Sequence, residues 1–372
     1  MQQNVRVMIN INLEKLKYSI RGKKLEKEKI KCICSCIRNE STIIKALERP
    51  LLKFNDNPKS GDIVVVEVLD SSCGYPTVEN MNGRNVTVYD KDILIGVLGS
   101  RKSGTNIYGA VPESKINAGD TLEILAQGGL IGLCIHADSF QRKTRAMPVK
   151  VLGFVQGEEN KVENIINFVD INDIKIQGSV PTIVIFGTSA EAGKTTLMCN
   201  MLNTLKKDFK MRVGCIKVCG TGRYKDLLAY KDAGADLSAD FVDFGLVSTY
   251  DLQTDEYIKI VEKMYDVAKE KVEILLIEVG GDLLEGNADT FLKISKEKDY
   301  HNILIVNDAM GGKYGIKLFG ENGLSIFSWK QNPYSLKKRL KKEEVFTFGE
   351  NDIKKFLKSI FESNGDSNIF RG

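Results

Sequence analysis

The stretch Pro181–Asn200 constrains the fold of this chain more than any other segment. Its first part, Thr182–Phe186, is a short apolar run rich in β-branched residues, which predicts a buried strand. Gly187–Gly193 follows as a loop of small residues with glycine at both ends, and Lys194 opens a segment with the apolar period of a helix. A strand, a glycine-bounded loop and Gly-Lys-Thr at the start of a helix together predict a phosphate-binding loop.

The chemistry of such a loop follows from its backbone. Its N–H groups converge on phosphate oxygens, and the helix N-terminus adds a partial positive charge. We expect Lys194 to reach the β- and γ-phosphates of a nucleotide and the Thr195 hydroxyl to bind Mg²⁺. The predicted nucleotide-binding residues of the loop are Gly187, Thr188, Ser189, Ala190, Glu191, Ala192, Gly193, Lys194, Thr195 and Thr196.

The length of the loop points to a particular family. Five residues separate Gly187 from Gly193, where the usual phosphate-binding loop has four. The sequence GTSAEAGKTT resembles the loop of dethiobiotin synthetases, GTDTEVGKT, in length and at six positions. That family belongs to a wider group of P-loop enzymes with the cobyrinic acid amide synthases and the nitrogenase iron protein. The six matching positions are Gly187, Thr188, Glu191, Gly193, Lys194 and Thr195.

Length and composition are those of an ordinary globular protein with room for two domains. The 372 residues are 42% hydrophobic and 27% charged, and 53 basic and 49 acidic residues give a net charge of +4. This balance by itself gives no argument for nucleic acid or a membrane surface, and we expect neither as a partner. Because the first residues lack an apolar core of signal-peptide length and no long apolar run occurs, we expect a cytoplasmic protein.

Three of the eight cysteines, Cys32, Cys34 and Cys36, alternate along the chain, so on a strand all three would point to one face. Such a face is compatible with a metal or redox site, or with a core lined by small, soft side chains. No C-x-x-C pair occurs, and His136 and His301 are the only histidines, which favours the core.

Residues 1–160 predict a β-rich domain, followed by a polar linker at 161–180. Strand candidates bounded by turn residues follow one another with no long helical pattern between them. This pattern favours a mostly antiparallel barrel or sandwich with a few helices. The strand candidates are Ile63–Leu69, Asn85–Tyr89, Ile93–Leu98, Asn106–Val111, Thr121–Leu125, Leu130–Ile135 and Met147–Phe154.

The start of this region is more mixed. We expect a strand at Val5–Ile11, a surface helix at Leu13–Glu28, a strand at Lys29–Ile37 and a helix at Ser41–Leu47 that Ser41 caps. Further on, the basic, glycine-bounded loop Gly99–Thr105 is compatible with an anion site and, more simply, with a hairpin tip.

Residues 181–372 alternate between strands and helices, which predicts an α/β P-loop domain with a mainly parallel sheet. Ligands of such sheets bind beyond the carboxyl ends of the strands. After the P-loop strand we expect strands at Met211–Val218, Glu273–Ile277, Asn302–Val306 and Leu324–Ser328. The expected helices are Asp226–Gly234, Tyr257–Lys269, a basic helix from Leu336, and Asp352–Phe361.

Polar residues at these strand ends are the candidates for chemistry. Lys217 lies near the end of an apolar strand, where a lysine is costly unless its charge is used, so it is a candidate to neutralise phosphate or hold a carboxylate. Glu278 closes another apolar strand just before two glycines, which is typical of a Mg²⁺ ligand beside a P-loop. Asn307 and Asp308 end a third strand and suit either a nucleobase contact or a turn.

The segment after the second strand of the sheet is rich in glycine and aspartate. Next to a phosphate site it is a source of substrate contacts and of a further metal ligand. Thr221 and Arg223 are the predicted substrate contacts. Asp226 and Asp232 are the metal candidates, and the sequence does not choose between them.

The resemblance to dethiobiotin synthetases extends beyond the loop, over about residues 181–335. Their P-loop helix leads to a strand ending in Lys-Pro-Val with a catalytic lysine, and Lys217 stands in the similar place here, without the proline. Their acidic metal ligand lies in VEGAGG, to which IEVGGD with Glu278 is similar. Their adenine-binding asparagine precedes a proline-containing turn, as Asn332 does here. The resemblance implies Lys194 and Lys217 as catalytic residues, and a homodimer.

We therefore expect an enzyme that depends on Mg²⁺ and ATP. The resemblance implies that it phosphorylates a carboxylate or carbamate of a small, amino-acid-like molecule to drive ligation or ring or amide formation. The alternative is a nucleotide-dependent switch or accessory protein, whose P-loop domain gates binding of a partner or ligand by the β-rich domain. Lys217 separates these hypotheses, because acyl-phosphate chemistry needs a lysine beside the γ-phosphate and a switch does not.

Overall fold

The computed structural model describes residues 18–20, 23–25, 30–104, 106–137, 146–169, 178–320 and 324–363. The first half of the chain forms mostly antiparallel strands, and the second half alternates between strands and helices around a parallel sheet. This is the fold class that the sequence predicts. Among the described helices, none combines the length and the apolar character needed to cross a bilayer.

The elements of the first half are short and joined by turns. The predicted strands Ile93–Leu98 and Met147–Phe154 recur with the same bounds, and the predicted strand Lys29–Ile37 is shortened to Ile30–Ile33. The other predicted strands between Ile63 and Ile135 recur with ends shifted by one or two residues. The strands are β1 Tyr18–Ile20, β2 Lys23–Leu25, β3 Ile30–Ile33, β4 Phe54–Asn55, β5 Ile63–Val68, β6 Thr77–Glu79, β7 Asn85–Thr87, β8 Ile93–Leu98, β9 Arg101–Lys102, β10 Ile107–Ala110, β11 Ile116–Asn117, β12 Thr121–Ala126, β13 Leu130–Ala137 and β14 Met147–Phe154, with helix α1 at Glu40–Ala46.

Five of these strands close into a ring. Of the two predicted architectures, barrel and sandwich, the structure is therefore the barrel. The order is β8-β5-β14-β12-β13, and β13 pairs back to β8 through Leu130 opposite Val97. This closing pair is parallel and the other four are antiparallel. Val64 and Val66 pack with residues of all five strands inside the ring, while Val65 and its neighbours pack outside it against α1.

Two predictions about the start of the chain are wrong. The expected helix at Leu13–Glu28 contains the antiparallel pair β1–β2, with Tyr18 opposite Leu25. Helical periodicity in this lysine-rich segment is weak, and pairing between strands satisfies the backbone groups that a helix would bond internally. The expected cap Ser41 lies inside α1, and Asn39 caps it instead by accepting from the Thr42 N–H at 3.1 Å. The expected strand at Val5–Ile11 lies outside the described residues.

The alternating cysteines do not share one face. Cys32 and Cys34 pack in the barrel interior, whereas Cys36 packs in the outer cluster. Strand β3 ends at Ile33 and the chain turns after Cys34, so the period of two is lost before Cys36. All three thiols are buried among apolar side chains, as expected of core cysteines.

The predicted linker begins with residues that pack onto the barrel. Ile165 lies in the outer cluster, and Asn164 donates to the Asp62 carboxylate at 2.8 Å. Residues 170–177 lie outside the described part of the chain. The division into residues 1–160, 161–180 and 181–372 stays a prediction.

The second half is built on six parallel strands in the order β17-β16-β18-β15-β19-β20. The sequence predicts all of these strands except β17. The strands are β15 Thr182–Gly187, β16 Val213–Cys219, β17 Leu237–Asp240, β18 Ile274–Val279, β19 His301–Ile305 and β20 Leu324–Phe327. The helices are α2 Lys194–Lys207, α3 Tyr224–Asp232, α4 Thr254–Lys269, α5 Ala288–Glu297, α6 Ala309–Phe319, α7 Pro333–Leu340 and α8 Glu350–Ser363.

Helices cover both faces of this sheet, as a parallel sheet requires. One apolar cluster joins the sheet to α2, α3 and α8, and the other joins it to α4, α5, α6 and α7. Strand β15 lies at the centre between β18 and β19, so its loop opens at the middle of the carboxyl edge. This position is where ligands of open α/β sheets bind.

Candidate nucleotide and acceptor site

The predicted phosphate-binding loop runs from the end of β15 into α2. Gly193 precedes α2 with a φ of 98°, in the left-handed region that favours glycine. A Cβ there would lie 3.0 Å from both Phe348 and Trp329, so the close packing also requires glycine. The Trp329 indole donates to the Ala192 carbonyl at 2.8 Å and holds the loop against the end of β20. The strand, loop and helix, together with the sheet around them, form a P-loop fold.

Lys194 is a buried lysine whose ammonium contacts backbone carbonyl oxygens. It is 3% exposed, and its ammonium donates to the Ser189 carbonyl at 2.9 Å and the Gly281 carbonyl at 2.5 Å. Among the described residues no carboxylate lies within ion-pair distance of it. Burial lowers the pKa of Lys194 to about 8, because the charged form is poorly solvated there. These residues therefore fit the phosphate tail of a nucleotide.

Glu278 and Thr195 meet as the sequence predicts. Glu278 lies on β18 beside the P-loop strand, is 3% exposed, and accepts from the Thr195 hydroxyl at 2.9 Å. The same carboxylate oxygen accepts from the Tyr230 hydroxyl at 2.6 Å. A hydroxyl and a carboxylate in contact at the start of the P-loop helix are suited to Mg²⁺, which takes one or two carboxylates and completes its shell with phosphate and water.

Lys217 stands directly opposite Glu278 in the register of β16 and β18. Its ammonium lies 3.8 Å from Glu278 Oε1 and donates to Asp226 Oδ2. Burial lowers the pKa of Lys217, but the two carboxylates outweigh burial and the net shift is upward. Lys217 is therefore a fixed positive charge, with its side chain 12% exposed, at the edge where the loop opens.

The two candidate metal ligands in α3, Asp226 and Asp232, lie at opposite ends of the helix. Asp226 lies in the first turn, lines the cavity described below and pairs with Lys217. Asp232 ends the helix and is exposed. Of the predicted substrate contacts, Thr221 and Arg223 both line the cavity, and Arg223 Nε lies 3.4 Å from a Glu79 carboxylate oxygen.

The two predicted asparagine positions differ in what they contact. Asn332 is exposed and caps α7 by accepting from the Ser335 N–H at 3.2 Å, and it does not line the cavity. Asn307 reaches the loop, because its side chain donates to the Ser189 hydroxyl at 2.6 Å. Its own Oδ1 is buried and has no partner among the described residues. Asp308 caps α6.

The loop and the neighbouring strand ends line one cavity of about 600 Å³. Loop residues from Ala190 to Thr196, except Ala192, line it together with Lys217 and Glu278. The barrel supplies part of its wall, which the sequence analysis did not foresee. Within this wall, the sequence indicated only the basic loop Gly99–Thr105, as compatible with an anion site. This loop contributes Arg101 and Ser103 to the cavity lining. Other lining residues that the sequence did not indicate include Tyr75, Gln127, Tyr250, Glu285 and Trp329.

No protein-family model matches this chain, and no curated protein matches it. Solved structures do match. The 54 kDa protein of the signal recognition particle from Aeropyrum pernix, in complex with GDP, is 13% identical over 55% of this chain, with a TM-score of 0.33. FlhF complexed with GMPPNP and Mg²⁺ is 11% identical over 49% of this chain and 70% of its own, with a TM-score of 0.31. The match spans 52% of the first protein. The P-loop fold assigned here rests on this chain's own strand order and loop geometry.

Proposed function

We propose that this protein is an enzyme that binds Mg²⁺ and ATP at Gly187–Thr196 and phosphorylates a carboxylate or carbamate of a small molecule. The observation that carries the proposal is that Lys194 and Lys217 line one cavity, and that Lys194 has no carboxylate partner within the described part of the chain. Transfer of a phosphoryl group depends on positioning and on neutralising spread negative charge. Two lysines shielded from solvent supply that neutralisation.

Each residue has a distinct role in this proposal. The loop N–H groups and Lys194 hold the phosphates, and Thr195 and Glu278 hold Mg²⁺. Bound ATP supplies the transferable phosphoryl group. Lys217 attracts the acceptor carboxylate to the same site and offsets the charge that builds up during transfer. The product is an acyl phosphate, which an amine attacks to form an amide or a ring with release of phosphate.

The chemistry proposed here is that of dethiobiotin synthetase-like enzymes, on the strength of the motif resemblance. Lys217 and Glu278, which carry that resemblance, face each other beside the loop. Asn332 supports it less well, because its side chain caps α7. Asn307 lies closer to the loop, since its side chain donates to the Ser189 hydroxyl at 2.6 Å, although it does not line the cavity either.

Nucleotide binding is tested first. Thermal unfolding of the protein is measured with ATP and with GTP, each with and without Mg²⁺, and for Lys194→Ala. A ligand that binds only the folded protein stabilises it by RT ln(1 + L/Kd) at a free concentration L, so the melting temperature rises with ligand concentration and affinity. We expect Mg²⁺–ATP to stabilise the wild type and to have little effect on Lys194→Ala. Failure of every nucleotide to stabilise the wild type would refute the proposal.

Lys217→Ala then separates the enzyme from a nucleotide-dependent switch. ADP release is measured while carboxylic and amino acids are screened as acceptors. We expect the variant to lose turnover and to keep its ATP affinity within a few-fold. Lys206→Ala is the control, because it removes a lysine–aspartate pair on the far part of α2. Unchanged turnover in Lys217→Ala would favour the switch, in which barrel contacts to α3 transmit the nucleotide state.

A further inference from the structure

The barrel contributes a cation to the cavity that the proposed phosphoryl transfer does not use. Arg101 lies on β9, in the basic hairpin, and lines the cavity together with Tyr75 and Gln127 of the barrel. These residues are far in sequence from the phosphate loop. The first half of the chain therefore forms one wall of the cavity, and Arg101 gives this wall a positive charge.

Among the described residues, the Arg101 guanidinium is held by neutral groups at one nitrogen and lacks a partner at another. Its Nη1 donates to the Tyr75 hydroxyl and to the Leu125 carbonyl, both at 2.7 Å. Its Nε is buried and has no hydrogen-bond partner among the described residues. Within the same set no carboxylate lies at ion-pair distance from it. A guanidinium oriented by neutral groups and left without an anion is costly unless a ligand supplies the anion.

The other cations around the cavity are accounted for. Lys217 pairs with Asp226, and Arg223 lies beside Glu79. Lys194 belongs to the phosphate site, and Lys225 is exposed to solvent. Among the cations that line the cavity, Arg101 is thus the partly buried charge to which neither these pairs nor the proposed phosphoryl transfer gives a role.

We propose that Arg101 binds a second carboxylate of the acceptor, so that the substrate is a small dicarboxylate. The inference rests on the proposed function, in which the first carboxylate lies at Lys217. A planar guanidinium matches a carboxylate through two parallel hydrogen bonds. Glu285 also lines the cavity, and it repels a singly charged carboxylate less than a doubly charged phosphate. The volume of about 600 Å³ lies within the range of small-molecule sites.

The test compares matched acids by calorimetric titration. The full chain is saturated with Mg²⁺ and a non-hydrolysable ATP analogue. Succinate, glutarate and adipate are titrated against butyrate, valerate and hexanoate, which have the same chain lengths and one carboxylate. We expect one dicarboxylate to bind about tenfold to a hundredfold more tightly than its partner acid, as one charge-assisted fork contributes. Arg101→Met should abolish this preference and leave monocarboxylate and nucleotide affinity within a few-fold.

Two further variants support the test. Arg101→Lys keeps the charge but loses the fork, so we expect an intermediate preference, and it serves if Arg101→Met does not fold. Arg49→Met is the control, because Arg49 also donates to a backbone carbonyl, that of Gln156, but does not line the cavity. A preference that survives in both Arg101 variants, or no preference for any dicarboxylate, would overturn the inference. Binding is measured without turnover, so loss of phosphoryl transfer alone would refute only the proposed function.

Discussion

Glu79, in the two-stranded sheet beside the barrel, accepts a hydrogen bond from the backbone N–H of Tyr224 at 2.5 Å. Tyr224 is the first residue of α3, and the Lys225 N–H binds the same carboxylate at 3.1 Å. Glu79 is fully buried and also accepts from the Ser35 hydroxyl. A carboxylate of the antiparallel half therefore caps the helix that carries Asp226 and Tyr230 to the candidate site, where helix N-terminal N–H groups favour an anion.

Glu79→Gln tests this cap. The amide keeps one acceptor but loses the charge, so we expect the protein to lose about 1–3 kcal/mol of unfolding free energy and α3 to open more often. Hydrogen exchange of the α3 amides, 224–232, measures the opening. Glu163→Gln is the control, a buried glutamate bonded to Asn167 rather than to α3. Unchanged α3 exchange in Glu79→Gln would contradict the capping role.

Arg38→Met should have a pH-dependent effect on stability. Arg38 forms ion pairs with Asp240 at 2.7 Å and Asp243 at 2.9 Å, and Asp240 is fully buried. Burial raises the pKa of Asp240 to about 6, and Arg38 opposes that rise. At pH 7 the variant leaves a buried carboxylate unpaired, and we expect a loss of about 3–5 kcal/mol.

At pH 5 this loss should shrink. Asp240 is then protonated in the folded protein but ionised in the unfolded chain, whose aspartate pKa is about 3.9, so protonation favours the fold as pH falls through 6. Urea unfolding at both pH values measures the difference. Lys161→Met, which breaks an exposed pair with Glu159, should have little effect at either pH. An equal loss for Arg38→Met at pH 5 and pH 7 would show that the Asp240 charge is not its cause.

Gly193→Ala should impair both the fold and the loop. A side chain at a φ of 98° is strained, and the new Cβ would crowd Phe348 and Trp329. We expect a loss of about 1–3 kcal/mol in urea unfolding and loss of stabilisation by nucleotide. Gly119→Ala is the matched control, because Gly119 has a φ of 108° but an added Cβ would meet no atom within 4 Å. If both variants lose the same stability, crowding at the loop is not involved.

Tyr230→Phe should cost more than Tyr257→Phe, although both tyrosines are fully buried. The Tyr230 hydroxyl bonds the Glu278 carboxylate at 2.6 Å, whereas the Tyr257 hydroxyl lies 3.0 Å from the neutral thiol of Cys219. A hydrogen bond to a charged group contributes about 1.5–3 kcal/mol and a neutral one about 0.5–1.5. Urea unfolding compares the two variants, and a larger loss for Tyr257→Phe would contradict the stronger hydrogen bond expected between Tyr230 and Glu278.

Local sequence patterns identified the elements whose signals are contained in a few neighbouring residues. The P-loop, Lys217 and Glu278 were found because strand ends of a parallel sheet converge on one edge. Helix α6 was missed because its glycines weaken the helical signal. Gly315 lets the helix pack closely against the sheet, since a Cβ there would lie 2.3 Å from the Leu304 Cδ2 atom.

The sequence by itself determined the phosphate-binding loop, the parallel sheet and the polar residues at its carboxyl edge, because each depends on spacing along the chain. Only the tertiary structure decided that the antiparallel strands close into a barrel, that Glu79 caps α3 and that Arg101 enters the cavity. These contacts join residues that are distant in the chain, from the 33 positions between Val97 and Leu130 at the barrel closure to the 145 between Glu79 and Tyr224. The physical reason is that no local periodicity encodes which distant backbone group or cavity a buried charge will meet.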